Sequence, residues 1–422
     1  MIPPHLTKYL ESRAIDGPWK ITASDRGDFG GAVIIPALAE SDHLFTTLRS
    51  LAQNPREILS RFLVLVVVNH RENALLSDKL DNQHTLQQLA MGEPSLQGLH
   101  LAWVDAASQG LELPAKGGVG LARKIGFDLA LPRLGYGPPD PLLISLDADT
   151  LVRPDYLPAL IQHFQGTKIP GAVIPFCHRP GSSPEQDRAI GRYELFLRAY
   201  VLGLSRAGSP YAFHTVGSAM ACLAESYARM GGMNFRAAGE DFYFLQNLAK
   251  TGGIAQVKGT VVYPSARASH RVPFGTGRSI SKLLGHEKTA VLFYQKDCFQ
   301  VLRDWLTLMA QNLESEGEDI QAEAERISAH LAEYLNSIRF ITVWDKLRKN
   351  FRERSMLMSA FHVWFDGLKT MKLIHYLSAG PLPRSAAERV MPGFLQWAGL
   401  EPVEGIDHQL NLLRKIQIGE PY

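Results

Sequence analysis

Between residues 31 and 176 the sequence alternates five short, unbroken apolar runs with longer stretches of helical period, and few folds accept that rhythm. The runs fall at 31–36, 62–69, 99–104, 142–147 and 171–176. They are continuous in Val, Ile and Leu, as expected of strands covered on both faces. Between them Leu44, Leu48 and Leu51, then Leu75, Leu80, Leu86 and Leu89, then Leu121, Ile125, Leu129 and Leu131 supply apolar faces for intervening helices. The expectation is an α/β domain built on a doubly wound, mainly parallel sheet. Ligands of such sheets gather outside the carboxyl ends of the strands.

The fourth run ends in Asp147-Ala148-Asp149. On an extended strand, residues i and i+2 face the same way, so both carboxylates are expected on one side. Two carboxylates at a strand end suit a hard divalent cation that keeps several waters and holds phosphate oxygens. An isolated Asp-x-Asp is common, however, and gains meaning only from its surroundings.

The chain of 422 residues has room for two or three domains and a sizeable core. Its net charge of +2 gives no reason to expect nucleic acid as a partner. Cys177, Cys222 and Cys298 are odd in number and widely spaced, which argues against a disulfide framework or structural zinc and for a reducing, cytoplasmic setting. The first 19 residues lack the apolar core of a signal peptide, and no later segment offers the ~20 apolar residues of a spanning helix. Peripheral membrane contact and homodimer formation stay open.

A second block, 185–263, is expected to hold a helix over 190–204, a strand over 218–223, a helix over 240–250 and a strand over 255–263, continuous with the sheet domain. Beyond residue 275 helical period dominates, notably over 305–313, 320–341 and 360–377. The expected division is an N-terminal extension (1–29), a catalytic domain (30–275) and a mainly helical C-terminal region (276–422). Trp305, Trp344, Trp364 and Phe361 recur on apolar helical faces and are expected to fill a core.

The order of motifs is more specific than any one of them. Val33-Ile34-Ile35-Pro36-Ala37 followed by Glu40, a second strand ending at Asn69, a glycine-rich helix entry at Lys116 to Arg123, Asp147-Ala148-Asp149 and a later Gly239-Glu240-Asp241 together resemble the GT-A glycosyltransferases of the family 2 type. The resemblance spans roughly 30–275. It implies a GT-A fold, with a Rossmann-like, mixed and mainly parallel sheet, and transfer of a sugar, a hexose by preference, from a nucleoside-diphosphate sugar to an acceptor hydroxyl. Pro36, Ala37 and Glu40 match the nucleotide loop, although Leu38-Ala39 replace the usual Tyr-Asn. Asn69 stands where the family places a base-reading Asp; an amide can both donate and accept there. Lys116 and Arg123 fall at the helix entry, where a helix N-terminus and cations suit phosphate.

The same resemblance gives Asp147 to the nucleotide sugar and Asp149, with Asp147, to a divalent metal. Asp241 is the expected general base, with Glu240 second, since a carboxylate within hydrogen-bond reach of the acceptor can take its proton. His270 would complete the metal shell, and imidazole tilts the choice between Mn2+ and Mg2+ toward Mn2+. Arg271 and Arg278 would clamp the diphosphate from a mobile lid. Inversion at the anomeric carbon is expected. Retention, a sugar-phosphate nucleotidyltransferase and an inactive scaffold are the alternatives. The glycine-rich loop with Arg and Lys shared by nucleotidyltransferases is missing after the first run, and the acids are all present, so both of the latter rank lower.

Overall fold

The structure is a computed structural model of the chain and describes residues 2–235, 239–267 and 291–419. Its strands are β1 (Ile21–Thr22), β2 (Gly31–Ala37), β3 (Phe62–Asn69), β4 (His100–Ala106), β5 (Leu142–Ser145), β6 (Leu151–Val152), β7 (Gly171–Val173), β8 (Met220–Leu223), β9 (Ile254–Gln256) and β10 (Val262–Tyr263). Eight of them form one mixed, mainly parallel sheet in the order β1-β4-β3-β2-β5-β8-β7-β9. Strands β4, β3, β2 and β5 are mutually parallel, as are β7 and β9. β1 is antiparallel to β4, and β8 is antiparallel to both β5 and β7. Strands β6 and β10 make a separate antiparallel pair.

The chain winds outward from β2 through β3 to β4, then returns to lay β5 on the other side of β2. Strand order therefore reverses between β2 and β5, where a crevice opens at the carboxyl ends. Every residue of β2, β3 and β5 is buried, which is why their sequences read as unbroken apolar runs. Helix Val119–Ala130 lies against β2 and β3, and closely: a Cβ at Gly126 would sit 2.3 Å from Ile34 Cγ2.

By contact density the chain divides into two units. The first comprises Met1–Ile190, Thr215–His286 and Lys415–Tyr422; the second comprises Gly191–His214 and Glu287–Arg414. Residues before β2 take part in the first unit: β1 pairs with β4, and helix Pro4–Ser12 is tied down through Tyr9. The Tyr9 hydroxyl donates to Asp128 Oδ1 at 2.8 Å and accepts from Lys124 Nζ at 2.8 Å. Asp128 also accepts from the Tyr227 hydroxyl and the Ile15 N–H, each at 2.8 Å, so this buried carboxylate is well satisfied.

Several elements differ from the sequence expectation. Strand β5 stops at Ser145, two residues short of Asp147, and the expected strand over 255–263 is two short strands separated by Gly259, whose φ is +83°. In helix Leu76–Met91 the buried face is Asn82, Thr85 and Leu89, while Leu75 and Leu80 are exposed. The first half of the leucine stripe faces outward because Asn82 turns inward to brace the strand ends: its Nδ2 donates to Asn69 O and its Oδ1 accepts from Ala39 N, both at 2.9 Å.

In the second unit the expected helix over 320–341 is broken into Gly317–Ile327, Ala329–Ser337 and Phe340–Asn350. Ser328 caps the second by accepting from Leu331 N, and Arg339 takes a left-handed φ of 56° before the third. The stretch 360–377 is likewise two helices, with the Asp366 side chain capping the second at Lys369 N. Trp305, Trp344 and Phe361 are fully buried in this unit's core, and Trp364 packs against it. Cys177, Cys222 and Cys298 are free and buried. Among the described residues no helix is long and apolar enough to cross a membrane.

Candidate active site

The aspartate pair occupies a turn rather than a strand end. Thr150 N–H donates to Asp147 O at 3.1 Å, and Thr47 of helix Ser41–Leu51 holds the turn by donating to Ala148 O at 2.8 Å. The turn separates the two side chains, and each meets a different arginine.

Asp147 meets Arg123. This arginine lies in helix Val119–Ala130 with its side chain only 3% exposed, donating to Ser145 Oγ at 3.0 Å, to Asp147 Oδ1 and to Glu240 Oε1. Room for it exists because residue 217 is glycine: a Cβ there would stand 2.4 Å from Arg123 Nη2. Glu240 is buried at the start of helix Glu240–Thr251, behind Gly239, whose φ of +69° suits a residue without a Cβ. One buried guanidinium thus joins the end of β5 to the start of a helix about a hundred residues later. Its proton is held all the more tightly by the surrounding acids.

Asp149 meets Arg267. Strand β10 pairs with β6 in the register Tyr263↔Leu151, which carries the chain after β10 back to the turn before β6. Arg267 Nε donates to Asp149 Oδ2 at 2.8 Å and its Nη2 to Glu40 Oε1. Glu40 follows β2, so this contact spans the point where strand order reverses. Arg179 Nη2 donates to the Asp149 carbonyl at 2.8 Å. His43, on helix Ser41–Leu51, is held below its ordinary range by burial and then by the Arg267 charge.

The acids affect one another. Burial, then Glu240, push the Asp241 carboxyl up to about 7, with Arg123 pulling the other way. Asp147 is raised by loss of surrounding water, opposed by Arg123 and reinforced by Asp149 and Glu240. A carboxyl raised toward neutrality is suited to taking up a proton near pH 7.

The structure gathers Glu40, Arg123, Asp147, Asp149, Glu240 and Asp241 at the carboxyl end of the sheet, with Pro36 and Ala37 closing β2 beside them. Arg123 has a different position from the expected phosphate contact: buried among acids, its guanidinium organises carboxylates. Asn69 donates its amide to Val67 O at 2.9 Å and Ala37 O at 3.2 Å, bracing the strand ends. Lys116 is exposed. His270, Arg271 and Arg278 lie outside the described residues. The sequence reading missed Arg267, Arg179, His43, Asn82 and Gly217. Of these only Arg267 carried a usable signal, as a cation just after the last strand and close before His270.

Two partly exposed carboxylates suit a hard cation completed by water and substrate oxygens. Among the described residues each gives one oxygen to an arginine. Among the described residues no three His, Cys, Asp or Glu groups stand close enough to form a protein cage for a metal. The donor set therefore fits a weakly held, substrate-completed ion.

A separate cavity of about 590 Å³ opens at the opposite end of the strands, lined by Gly30, Arg61, Phe62, Leu142, Phe164 and Lys168 among others. It contains none of the clustered acids.

No known family profile matches the chain, and no curated protein matches it in sequence. Solved structures do resemble it loosely. S. aureus TarS 1–349 in complex with UDP-GlcNAc is 14% identical over 76% of this chain and 92% of that one, with a TM-score of 0.41. The mannosyltransferase PcManGT from Pyrobaculum calidifontis, in complex with GDP-Man and Mn2+, is 14% identical over 98% and 92%, with a TM-score of 0.38. M. tuberculosis glucosyl-3-phosphoglycerate synthase is 15% identical over 71% and 83%, with a TM-score of 0.34. At such identities and TM-scores, none of these proteins lends its substrate or its residue roles to this chain.

Proposed function

We propose that this chain is a glycosyltransferase with a GT-A type catalytic domain, moving a sugar from a nucleoside-diphosphate sugar to an acceptor hydroxyl with divalent-metal support. The observation that carries this reading is the convergence of Glu40, Asp147, Asp149, Glu240 and Asp241 around two arginines, where strand order reverses between β2 and β5. That is the place where an α/β sheet binds a nucleotide. The charge pattern suits a substrate that brings its own negative charge together with a cation.

A divalent ion bound at Asp147 and Asp149 would supply charge stabilisation for a departing nucleoside diphosphate. The chain's own residues do the rest. Pro36 and Ala37 end β2 beside the crevice and leave backbone to approach the nucleotide. Arg123 fixes Asp147 and Glu240, so both acids are oriented before substrate arrives. With Glu240 committed to Arg123, Asp241 is the acid able to accept the proton of an incoming hydroxyl. Direct displacement of the nucleoside diphosphate by that hydroxyl would invert the anomeric centre.

A donor-hydrolysis screen of UDP-, GDP- and dTDP-sugars with Mn2+ and Mg2+ tests reaction class, nucleotide and metal together. Turnover is expected with one nucleotide series and should fall at least a hundredfold in Asp149→Ala and Asp241→Asn, with folding intact by circular dichroism. Full activity in either variant removes that residue from its role. Release of pyrophosphate from a nucleoside triphosphate would reassign the site to nucleotidyl transfer.

A further inference from the structure

The two arginines that pair with the aspartates are not equivalent, and the difference bears on how a metal enters. Arg123 is 3% exposed and holds Ser145, Asp147 and Glu240; leaving would strand a charge in the interior. Arg267 is 24% exposed, and its two carboxylate partners, Asp149 and Glu40, are 20% and 11% exposed. Its guanidinium can exchange those partners for water or for another anion without being buried alone. It also sits on Asp149 Oδ2, on one of the two side chains proposed to take a cation.

We infer that Arg267 holds the cation position at Asp149 in the donor-free protein, and that a divalent ion binds there only by displacing it. The inference rests on the proposed metal role of Asp149 and names a residue that regulates the same site. A guanidinium and a divalent ion are like charges competing for one carboxylate, so they exclude one another at contact distance. Glu40 strengthens the hold by bridging Arg267 from the other side of the crevice. A released Arg267 is well suited to diphosphate oxygens, because its planar fork matches them. Exchange would then link metal entry to arrival of the donor: the incoming diphosphate offers oxygens both to the metal and to the displaced guanidinium.

The test is Mn2+ binding to the full chain without donor, read by loss of the free-ion electron paramagnetic resonance signal. Arg267→Gln should bind Mn2+ at least tenfold more tightly than wild type. Removing any nearby positive charge would help a cation somewhat, so Arg179→Gln serves as the control. The Arg179 side chain donates to the Asp149 backbone carbonyl rather than to its carboxylate, and its loss should change affinity by less than threefold. Arg267→Lys keeps the charge without the fork and should fall between wild type and Arg267→Gln. In wild type, the 15Nε signal of Arg267, assigned by its absence in Arg267→Lys, should move on addition of Mg2+. Equal gains in Arg267→Gln and Arg179→Gln, no gain in Arg267→Gln, or an unmoved Arg267 signal at saturating Mg2+ would each overturn the inference. None of these readouts needs a nucleotide sugar. Failure of the donor screen with displacement intact would therefore count against sugar transfer alone.

Discussion

The Arg123 pairings make the sharpest demand on the energetics of this fold. In Arg123→Met the cation is lost while Glu240, 5% exposed, stays in place. Stranding one member of a buried ion pair costs about 3–5 kcal/mol. Asp147 is 35% exposed and can recover water, so most of that cost arises at Glu240. Glu240→Gln is milder: Arg123 keeps Asp147 and Ser145, and a cost of about 1–3 kcal/mol follows from weakening one charged hydrogen bond. Combining the two leaves no buried carboxylate unmatched at this point. The double variant should therefore be less destabilised than the sum of the singles, by about 1–3 kcal/mol. Because the two units can unfold separately, the assay should report on the first unit alone. Urea-dependent hydrogen exchange of peptides from β2 and β3 does this, and at a slope of about 3 kcal/mol per M the Arg123→Met midpoint should fall by about 1 M or more. A loss below about 0.5 kcal/mol in Arg123→Met, or additivity of the singles within that margin, would refute the view that one buried guanidinium holds the site together.

Two further outcomes follow from the same geometry. Asp241 is raised to about 7 in the folded chain against about 3.9 for an unfolded Asp, so the fold binds more protons between those values and loses stability as pH rises through them. Asp241→Asn removes this penalty and should gain melting temperature over wild type progressively from pH 4 to pH 8, while wild-type kcat/KM, which reports the unloaded protein, should climb through about pH 7. A flat wild-type kcat/KM profile from pH 5.5 to 8.5 would exclude Asp241 as the base. Gly217→Ala places a methyl 2.4 Å from Arg123 Nη2 and 2.9 Å from Cζ, so the guanidinium must shift. About 1–3 kcal/mol of stability should go with it, read in the same hydrogen-exchange experiment, and more than tenfold of any transfer activity; unchanged values would show that Arg123 has room to spare.

Fold class was legible because sheet burial writes itself into sequence. A strand covered on both faces has no polar positions, and β2, β3 and β5 each stood out as a continuous apolar run. The places where expectation failed are those where a polar side chain does structural work. Asn82 reads as a surface residue of an amphipathic helix, yet it is buried to satisfy Ala39 N and Asn69 O, and two of the leucines expected to be inside, Leu75 and Leu80, face water. Ser328 and Asp366 interrupt helical period too quietly for a pattern of apolar spacing to register, although each is a good N-cap.

The acids of the site were legible for a different reason: each lies where an element starts or stops, and such positions are marked in sequence by glycine, proline or the end of an apolar run. The cations were not, since arginine's long stem lets its charge act far from its Cα and leaves no local pattern. Arg123 was identified by its place in the chain, and its partners in the structure are Asp147 and Glu240.

The Arg123 pairings bear on how the proposed site would work. A guanidinium aimed at phosphate would have been a feature of the donor side alone. Buried between Asp147 and Glu240, Arg123 belongs to both sides: Asp147 follows β5, where the donor would lie, and Glu240 precedes Asp241, where the acceptor would be deprotonated. Charge arriving at Asp147 changes the field felt at Asp241 through this shared neighbour, since Asp147, Glu240 and Arg123 all act on the Asp241 carboxyl. A cation near Asp147 favours the ionised form of Asp241, lowering its pKa and readying it to take the acceptor's proton. Donor loading and base activation are then two faces of one electrostatic arrangement. The buried Arg123 would keep that arrangement in register, and the partly exposed Arg267 would leave it free to change.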